Sequence, residues 1–189
     1  PDLGWTDPLL LLALGGGVVM GAYDGERMVG LLICMVVKRG GDVFLWSHMT
    51  GTHPDYQNQG IGLALKRFQR RWALDSGYTS IRWTVDPLQR RNAWFNLHLL
   101  GEDAALTTVD YHVNFYGEMD DDINRGMPSD RIEVCWKLAQ PTLHQPMNSK
   151  PLLLLRADER GYPISTDTDW DGDWYTAAVP ADLDALRKT

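Results

Sequence analysis

A short polar stretch with two glycines, followed at once by a helical pattern, is where this sequence most clearly suggests chemistry. It runs from Gln57 to Gly62 as QNQGIG and contains no Lys or Arg. A ligand held here must therefore be bound by backbone N–H groups rather than by cationic side chains. Successive N–H groups at a helix N-terminus, together with the helix dipole, favour an anion such as a phosphate. The alternative that the residues leave open is an Asn/Gly turn that only starts a helix.

One histidine precedes this loop at a position suited to acid–base chemistry. His48 lies in the stretch DVFLWSHMT, residues 42–50, whose composition predicts a β-strand with His48 on the same face as Trp46. Histidine titrates near neutral pH, as a general base at working pH should. The alternative is a histidine packed beside Trp46, with its ring nitrogens bonded to backbone.

Charged residues after the next predicted strand offer further candidates. Asp86 ends that strand, where it can orient a base or a substrate ammonium, although capping the helix after Pro87 is the commoner role. Arg90 and Arg91 are adjacent, and a guanidinium can clamp a substrate carboxylate with two hydrogen bonds. A solvated helix face is the alternative for both. Arg131 flanks an acidic loop and is a third candidate for substrate binding.

Composition limits the classes of partner. The chain has 189 residues, 44% of them hydrophobic and 23% charged, which is typical of a globular protein. Its net charge of −7 argues against nucleic acid as the main partner. Cys34 and Cys135 are far apart and form no metal-binding motif, and so few thiols favour a reducing, cytoplasmic location. The apolar stretch PLLLLALGGGVVMGA is too short and too rich in glycine to cross a membrane.

The elements that must position these residues can be predicted from periodicity. A Leu-rich helix ends at Gly15, and two β-rich stretches around Asp24-Gly25 predict a hairpin with a type I′ turn. Beyond the loop an amphipathic helix is predicted, whose apolar side is formed by Ile61, Leu65, Phe68 and Trp72 and whose solvated side is formed by Lys66, Arg67, Arg70 and Arg71. The stretches SIRWTV, LTTVDYHVNFYG and RIEVCWKL read as further strands, with NAWFNLHLLG as a short helix between the first two.

This order of elements predicts an α/β (α+β) fold, a mixed twisted sheet with helices on both faces and a C-terminal extension. We expect a core over residues 1–139, a proline-marked linker over 140–150, and an extension over 151–189 that contains a hairpin and the first turns of a helix. Trp170 and Trp174 in that extension suggest a homodimer contact, unless they pack on their own domain.

The stretch THPDYQNQGIG resembles the pyrophosphate-binding signature of the GNAT acetyltransferases, in which the pattern Q/R-x-x-G-x-G/A follows a strand and opens a helix. The resemblance extends over about residues 18–138 and implies the GNAT fold, with the family's first strand and first helix absent from this sequence. The segments SHMTG, WTVDPLQRRNAWFN, NFYGEM and GMPSDR are similar to a subgroup of predicted GNAT acyltransferases. Some members of that subgroup occur beside N-acylamino-acid racemases and are thought to acylate amino acids, with succinyl-CoA as one possible donor.

The resemblance implies acetyl-CoA or another acyl-CoA as co-substrate, no metal, and direct transfer to the amine of a small molecule. The net charge and the short apolar stretch predict neither nucleic acid nor a membrane as partner. It places the cofactor against Met49, Thr50, Gly51, Thr52, Gln57, Asn58, Gln59, Gly60, Ile61, Gly62, Asn92 and Asn96. His48, Asp86 and Tyr116 are the catalytic candidates. Many family members have a Tyr, the donor of a proton to the thiolate, where this sequence has Leu97. Tyr116 or water is the replacement that we expect, and a non-catalytic acyl-CoA-binding module is the alternative function.

Overall fold

A computed structural model describes residues 6–96, 100, 105–119, 128–140, 150–166 and 175–180. In chain order the elements are α1 (Thr6–Leu14), β1 (Val18–Asp24), β2 (Arg27–Arg39), β3 (Asp42–Thr52), a 3₁₀ turn (Pro54–Tyr56), α2 (Ile61–Asp75), β4 (Ser80–Val85), α3 (Arg90–Trp94), β5 (Ala105–His112), β6 (Arg131–Lys137), β7 (Leu152–Ala157), β8 (Pro163–Ser165) and β9 (Tyr175–Ala177). The predictions made for Leu97, Trp170, Trp174 and the C-terminal helix lie outside the described residues.

Six strands form a mixed sheet in the order β1-β2-β3-β4-β6-β5. β1, β2 and β3 pair antiparallel through short turns, whereas β3 and β4 are parallel and are connected through α2. A parallel pair needs such a crossover, because its second strand must start again at the same end of the sheet. The mixed α/β fold predicted from the sequence is confirmed.

The described residues divide into two compact units. The first unit holds those within Pro1–Thr84, Leu99–Asp110 and Glu133–Thr142, and the second holds those within Val85–His98, Tyr111–Ile132 and Leu143–Thr189. The second unit contains a three-stranded sheet in the order β8-β7-β9, in which β7 and β8 form the hairpin expected in the C-terminal extension. No helix in these described segments is long and apolar enough to cross a bilayer.

The first hairpin is present, but its predicted turn is wrong by one residue. Asp24 pairs with Arg27, so the two turn residues are Gly25 and Glu26. Only Gly25 has a positive φ, of 58°. A type I′ turn needs positive φ at both central residues, whereas type II′ needs it only at the first, where glycine is preferred. Pairing of the strands, which a dipeptide pattern does not report, decided the register.

The predicted faces of α2 are also partly wrong. Its buried residues are Leu65, Lys66, Gln69 and Ala73. Phe68, assigned to the apolar side, is 53% exposed, and Lys66, assigned to the solvated side, is 3% exposed. The helix packs against β1, β2 and β3, and the side of α2 in this contact includes Lys66. The Lys66 amine donates a hydrogen bond to a side chain of β3.

A buried carboxylate joins three strands of the first unit. Glu133 of β6 has no exposed surface, and its carboxylate accepts two hydrogen bonds from Arg39 Nη1 at 2.9 and 3.1 Å. Arg82 Nη1 of β4 lies 3.5 Å from the same carboxylate. Burying a carboxylate is costly unless its charge is balanced and its oxygens accept hydrogen bonds. Arg39 and Arg82 supply both, so the cluster ties β2, β4 and β6 together.

Replacing this carboxylate is expected to destabilise the first unit. Glu133→Gln keeps the side-chain shape but leaves Arg39 without its counter-charge and Arg82 with Asp42 as its ion-pair partner. Because Arg39 is half-exposed, we expect a loss of roughly 2–4 kcal/mol in the free energy of unfolding. Urea unfolding of the purified variant measures this loss. Glu26→Gln, at an exposed turn position, is the matched control and should change stability little. Equal stability of the two variants would contradict the role given to Glu133.

The buried lysine gives a prediction about pH. Burial lowers the pKa of Lys66 from 10.5 to about 7. Below about pH 7 the folded and unfolded chains both carry the proton, so the cost of the buried charge is fully present. Between about pH 7 and 10.5 the folded chain releases the proton while the unfolded chain keeps it, and stability therefore rises with pH.

Lys66→Met removes this cost, so the variant should be more stable than the parent by an amount that is largest near pH 6 and shrinks toward pH 10. Thermal unfolding of both proteins across that range measures the difference. Lys38→Met makes the same substitution at an exposed position of β2 and should show no such trend. A difference that stays constant with pH would show that Lys66 does not titrate as inferred.

Candidate active site

The predicted pyrophosphate-binding loop connects β3 to α2 with two residues in left-handed conformation. Asn58 has φ 62° and Gly60 has φ 80°. Asparagine and glycine are the residues that adopt this region most readily, since other side chains are strained there. The 3₁₀ turn, Pro54–Tyr56, precedes them, and His53 Nδ1 accepts a hydrogen bond from the N–H of Asp55 at 3.3 Å. The loop conformation is thus set by local residue types.

The tip of the first hairpin holds this loop in place. Tyr56 donates its hydroxyl to Asp24 at 2.8 Å, and Arg27 lies with its guanidinium 5.5 Å from the centre of the Tyr56 ring. Arg27 also lies 3.1 Å from His53 Nε2 and 3.7 Å from the Asp55 carboxylate. These contacts lie at the protein surface, so each contributes little to stability. Together they restrict the loop from the β1–β2 side.

The N-terminus of α2 is left open for an anion. Gly60 is the N-cap, makes no side-chain capping bond, and no acidic residue lies in the first turn. The first N–H groups of a helix have no partner within the helix, and the N-cap glycine has no side chain with which to cap them. Gly30 of β2 allows the helix start to approach closely, because a Cβ there would lie 2.9 Å from Ile61 Cγ2. The arrangement can bind a phosphate through backbone N–H groups and the helix dipole.

Next to the loop, β3 and β4 stop pairing. Across these two fully described strands the registered pairs are Leu45↔Ile81 and Trp46↔Arg82, although β3 continues to Thr52. On its other side β3 pairs with β2 as far as Gly30↔Thr52. The backbone of the β3 segment after Trp46 is therefore held by β2 on one edge and, among the described strands, is not paired with β4 on the other. An extended ligand can use such an open edge for main-chain hydrogen bonds.

A β-bulge lies at the start of this open segment. Ile33 pairs with Met49 and Cys34 pairs with Ser47, so His48 is the extra residue of β3. The sequence pattern predicted Ser47 and Met49 on the same face of β3. The bulge instead puts them on opposite faces, because their partners Cys34 and Ile33 are consecutive residues of β2. His48 itself is exposed, not packed beside Trp46. Bulges re-aim side chains near active sites, and this one presents an accessible imidazole.

The segment that follows the bulge contains the remaining candidates of β3. Met49, Thr50 and Gly51 are exposed, and Thr52 is half-buried. Gln57, at the start of the loop, donates from Nε2 to the carbonyl of Thr52 at 3.4 Å. The structure therefore places the β3 candidates, the loop and the open helix end consecutively in the first unit.

Under the bulge lies a buried polar layer that sequence reasoning missed. Lys66 Nζ donates to Ser47 Oγ at 2.8 Å and lies 4.3 Å from the centre of the Trp83 ring. Gln69 Nε2 lies 3.2 Å from Cys34 Sγ. Desolvation lowers the pKa of Lys66 to about 7 and raises the pKa of the Cys34 thiol. The missed signal was the i, i+3 spacing of Lys66 and Gln69, which puts both on one side of α2.

In the second unit, Asp86 stabilises the turn before α3 and pairs with an arginine, but it is not the helix N-cap considered for it, which is Gln89. Its Oδ1 accepts a hydrogen bond from the N–H of Leu88 at 2.8 Å, and its Oδ2 lies 3.8 Å from Arg131 Nη1. Arg131 is 7% exposed and donates to the carbonyl of Asp130 at 2.8 Å. Its guanidinium lies 5.4 Å from the Tyr116 ring, a cation–π distance. Asp86, Arg131 and Tyr116 thus form a connected group within this unit.

Tyr111 and Asn114, which contact the neighbouring Asp130, were not predicted as site residues. Tyr111 donates its hydroxyl to the Asp130 carboxylate at 2.5 Å, and the N–H of Asn114 donates to the same group at 2.9 Å. The hydrogen bond raises the pKa of Tyr111 and lowers that of Asp130. Tyr116, which is 43% exposed, is held by its own N–H, donated to Ser129 Oγ at 2.9 Å.

The short helix α3 carries the other candidates of the second unit. Asn96 donates from Nδ2 to both the carbonyl and Oδ1 of Asn92 at 2.8 and 2.9 Å. Gln89 is the N-cap of this helix, so Asn92 is not a capping residue. Arg90 and Arg91 are exposed. No group of three or more His, Cys, Asp or Glu side chains that could hold a metal ion occurs in the part of the chain that the structure describes.

Comparison with known proteins gives this arrangement a family context. Residues 4–97, about half of the chain, match the family described as Acetyltransferase (GNAT) family. No curated protein matches the sequence at a significant level. Many solved structures do match.

Three of these structures illustrate the shared fold. A GNAT family acetyltransferase from Elizabethkingia anophelis with acetyl-CoA bound is 16% identical, with a TM-score of 0.55 over 72% of this chain and 84% of that one. Naa50 from Arabidopsis thaliana, in complex with a CoA-containing bisubstrate analogue, is 19% identical, with a TM-score of 0.52 over 71% and 83%. An aminoglycoside 6′-acetyltransferase type Ii is 13% identical, with a TM-score of 0.52 over 71% and 77%.

At these identities the solved structures establish the fold alone, and the sequence match supplies the family. The match of residues 4–97, in a chain with this sheet order, identifies the protein as an acetyltransferase of the GNAT family.

Proposed function

We propose that the protein transfers an acetyl or succinyl group from acyl-CoA directly to the amine of a small molecule, with an amino acid as the preferred class. The observation that carries the proposal is the sequence of features along β3 and α2. A strand edge no longer paired with β4, a bulge with an exposed histidine and a helix whose N-cap is a glycine follow one another within residues 47–62. The acetyl-CoA-bound structure of similar fold supports the choice of donor.

The residues of the first unit divide the work between binding and chemistry. The N–H groups at the start of α2 and in the loop bind the pyrophosphate, and the open edge of β3 from Met49 to Thr52 binds the arm of the cofactor. The thioester supplies an activated acyl group. His48 takes the proton of the attacking amine as nitrogen bonds to the carbonyl carbon. The carbon–sulfur bond then breaks and the thiolate leaves.

A neutral thiol requires that the departing sulfur also receive a proton. Tyr116 is our candidate donor, since the residue is 43% exposed and its backbone N–H is bonded to Ser129. Water is the alternative, because a thiolate is only moderately basic at neutral pH.

The acceptor is inferred from the cationic residues of the second unit. Arg90 and Arg91 are exposed, and a single guanidinium is enough to clamp a carboxylate with two hydrogen bonds. Arg131 is buried and already bonded to backbone and paired with Asp86, so we assign it to holding Asp86 near the acceptor amine. The resemblance of SHMTG, NFYGEM and GMPSDR to the subgroup found near racemases also favours amino acids.

We further propose a cytoplasmic location and a homodimer as the working state. Both cysteines are free and buried, as expected for a protein of a reducing compartment. Trp170 and Trp174 remain our candidates for the dimer contact.

The loop geometry predicts the effect of substitutions at its two left-handed residues. Gly60→Ala meets no atom within 4 Å of the added Cβ, so its cost is backbone strain alone, about 1–2 kcal/mol. We expect a weaker affinity for CoA, measured by calorimetry, together with this loss of stability. Asn58→Gly is the control, since glycine adopts the same φ freely and should keep CoA binding close to that of the parent. Gly60→Ala with unchanged CoA affinity would count against the loop as the pyrophosphate site.

The assignment of the base predicts a separation of binding from turnover. His48→Ala should reduce kcat by roughly 100-fold, in the range typical of a lost general base, while CoA affinity stays within about two-fold. The measurement is release of free thiol from acetyl- and succinyl-CoA, with amines and amino acids of both chiralities as acceptors. Because His48 is exposed, added imidazole should restore part of the activity of the variant.

Two other outcomes would lead to different conclusions. Binding of CoA without turnover of any acyl-CoA would favour the alternative function, a non-catalytic acyl-CoA-binding module. Failure of CoA to bind or to raise the thermal midpoint of the parent protein would exclude both functions.

A further inference from the structure

Lys66, in the core of the first unit, contacts both β3 and β4 near the point where these two strands stop pairing. Lys66 reaches from α2 to Ser47 of β3 and to the Trp83 ring of β4. Ser47 and Trp83 directly follow the last pair of these strands, Trp46↔Arg82. The Lys66 amine therefore lies where the two strands begin to separate.

The same helix contacts both strands that form the bulge. Ser47 pairs with Cys34, and the register shift follows immediately on the His48 side. Lys66 holds the β3 member of this pair through Ser47 Oγ, and Gln69, three residues later, holds the β2 member through Cys34 Sγ. All four residues are buried. A bulge is a local loss of ladder hydrogen bonds, and these contacts restrict it from outside the sheet.

A lysine is a costly means of support at this position. An apolar side chain of similar length would fill the same space without the desolvation of an amine. The presence of a buried amine that lowers stability can be explained if the amine fixes a geometry that the activity needs. The directed hydrogen bond to Ser47 supplies a constraint on position that apolar packing does not.

We propose that Lys66 is a positioning residue of the acyl-transfer site, which through Ser47 fixes the bulge that presents His48 and the adjoining β3 backbone to the thioester. This inference rests on the proposed function. It assigns α2 two tasks, since its N-terminus binds the pyrophosphate and its second turn sets the reaction end of the cleft. Lys66 touches no substrate, and its effect is exerted through β3.

The test uses Lys66→Met, Ser47→Ala and the double variant in the full chain, with Lys38→Met as the matched surface control. We expect Lys66→Met to lower kcat at least 10-fold, because small misplacements of reacting groups reduce rates steeply. The Kd for CoA should stay within two-fold of the parent value. Ser47→Ala should lower kcat in the same direction, and the double variant should lose no more than Lys66→Met alone, since both remove one interaction.

A second readout does not depend on turnover. Hydrogen–deuterium exchange of the β3 segment 46–52 should be faster in Lys66→Met and Ser47→Ala than in the parent, and unchanged in Lys38→Met. If the parent transfers no acyl group, the proposed function fails, and this exchange measurement still decides whether Lys66 holds the bulge.

Three results would overturn the inference. They are a folded Lys66→Met variant with parental kcat, an equal loss of CoA affinity and kcat, and unchanged exchange of segment 46–52. If Lys66→Met does not fold, Ser47→Ala removes the same hydrogen bond from the other side and is judged by the same criteria.

Discussion

The geometry of the site depends on β3 being bound along one edge and open along the other. Its hydrogen bonds to β2 continue to Thr52, whereas its pairing with β4 ends at Trp46. Backbone groups that pair with no strand hydrogen-bond to water or to a ligand instead. The open edge is therefore available for an extended ligand, and the neighbouring loop and helix lie at its end.

Such an opening must be kept from closing or sliding, and the structure shows how it is supported. The hairpin tip restrains the loop through Tyr56, Asp24 and Arg27. The buried layer of α2 restrains the bulge through Ser47 and Cys34. Elsewhere in the sheet, Glu133 of β6 binds Arg39 of β2 and Arg82 of β4, and so connects the neighbour of β3 on one side to its neighbour on the other. Polar contacts provide direction here, which apolar packing alone lacks.

Local signals in the sequence predicted much of this fold, while long-range pairing decided the rest. The loop was readable because Asn58 and Gly60 report the backbone conformation that they adopt. The hairpin was readable too, but its turn lies one residue later than the Asp-Gly pair suggested, because pairing of Asp24 with Arg27 sets the register. The helix was found, yet Phe68 and Lys66 exchanged their expected environments once α2 packed on three strands.

The sequence by itself determined the order of strands and helices as far as β8, the left-handed loop and the membership of the family, because these depend on local conformation and on motifs of fixed spacing. It did not predict β9. Only the tertiary structure decided that His48 is an unpaired bulge residue, that Lys66 is buried beneath it, and that Asp86 faces Arg131. Each of these facts depends on the register or packing of segments far apart in the chain. A bulge shifts every later side chain to the other face, and alternation read along one strand cannot detect the partner that causes the shift.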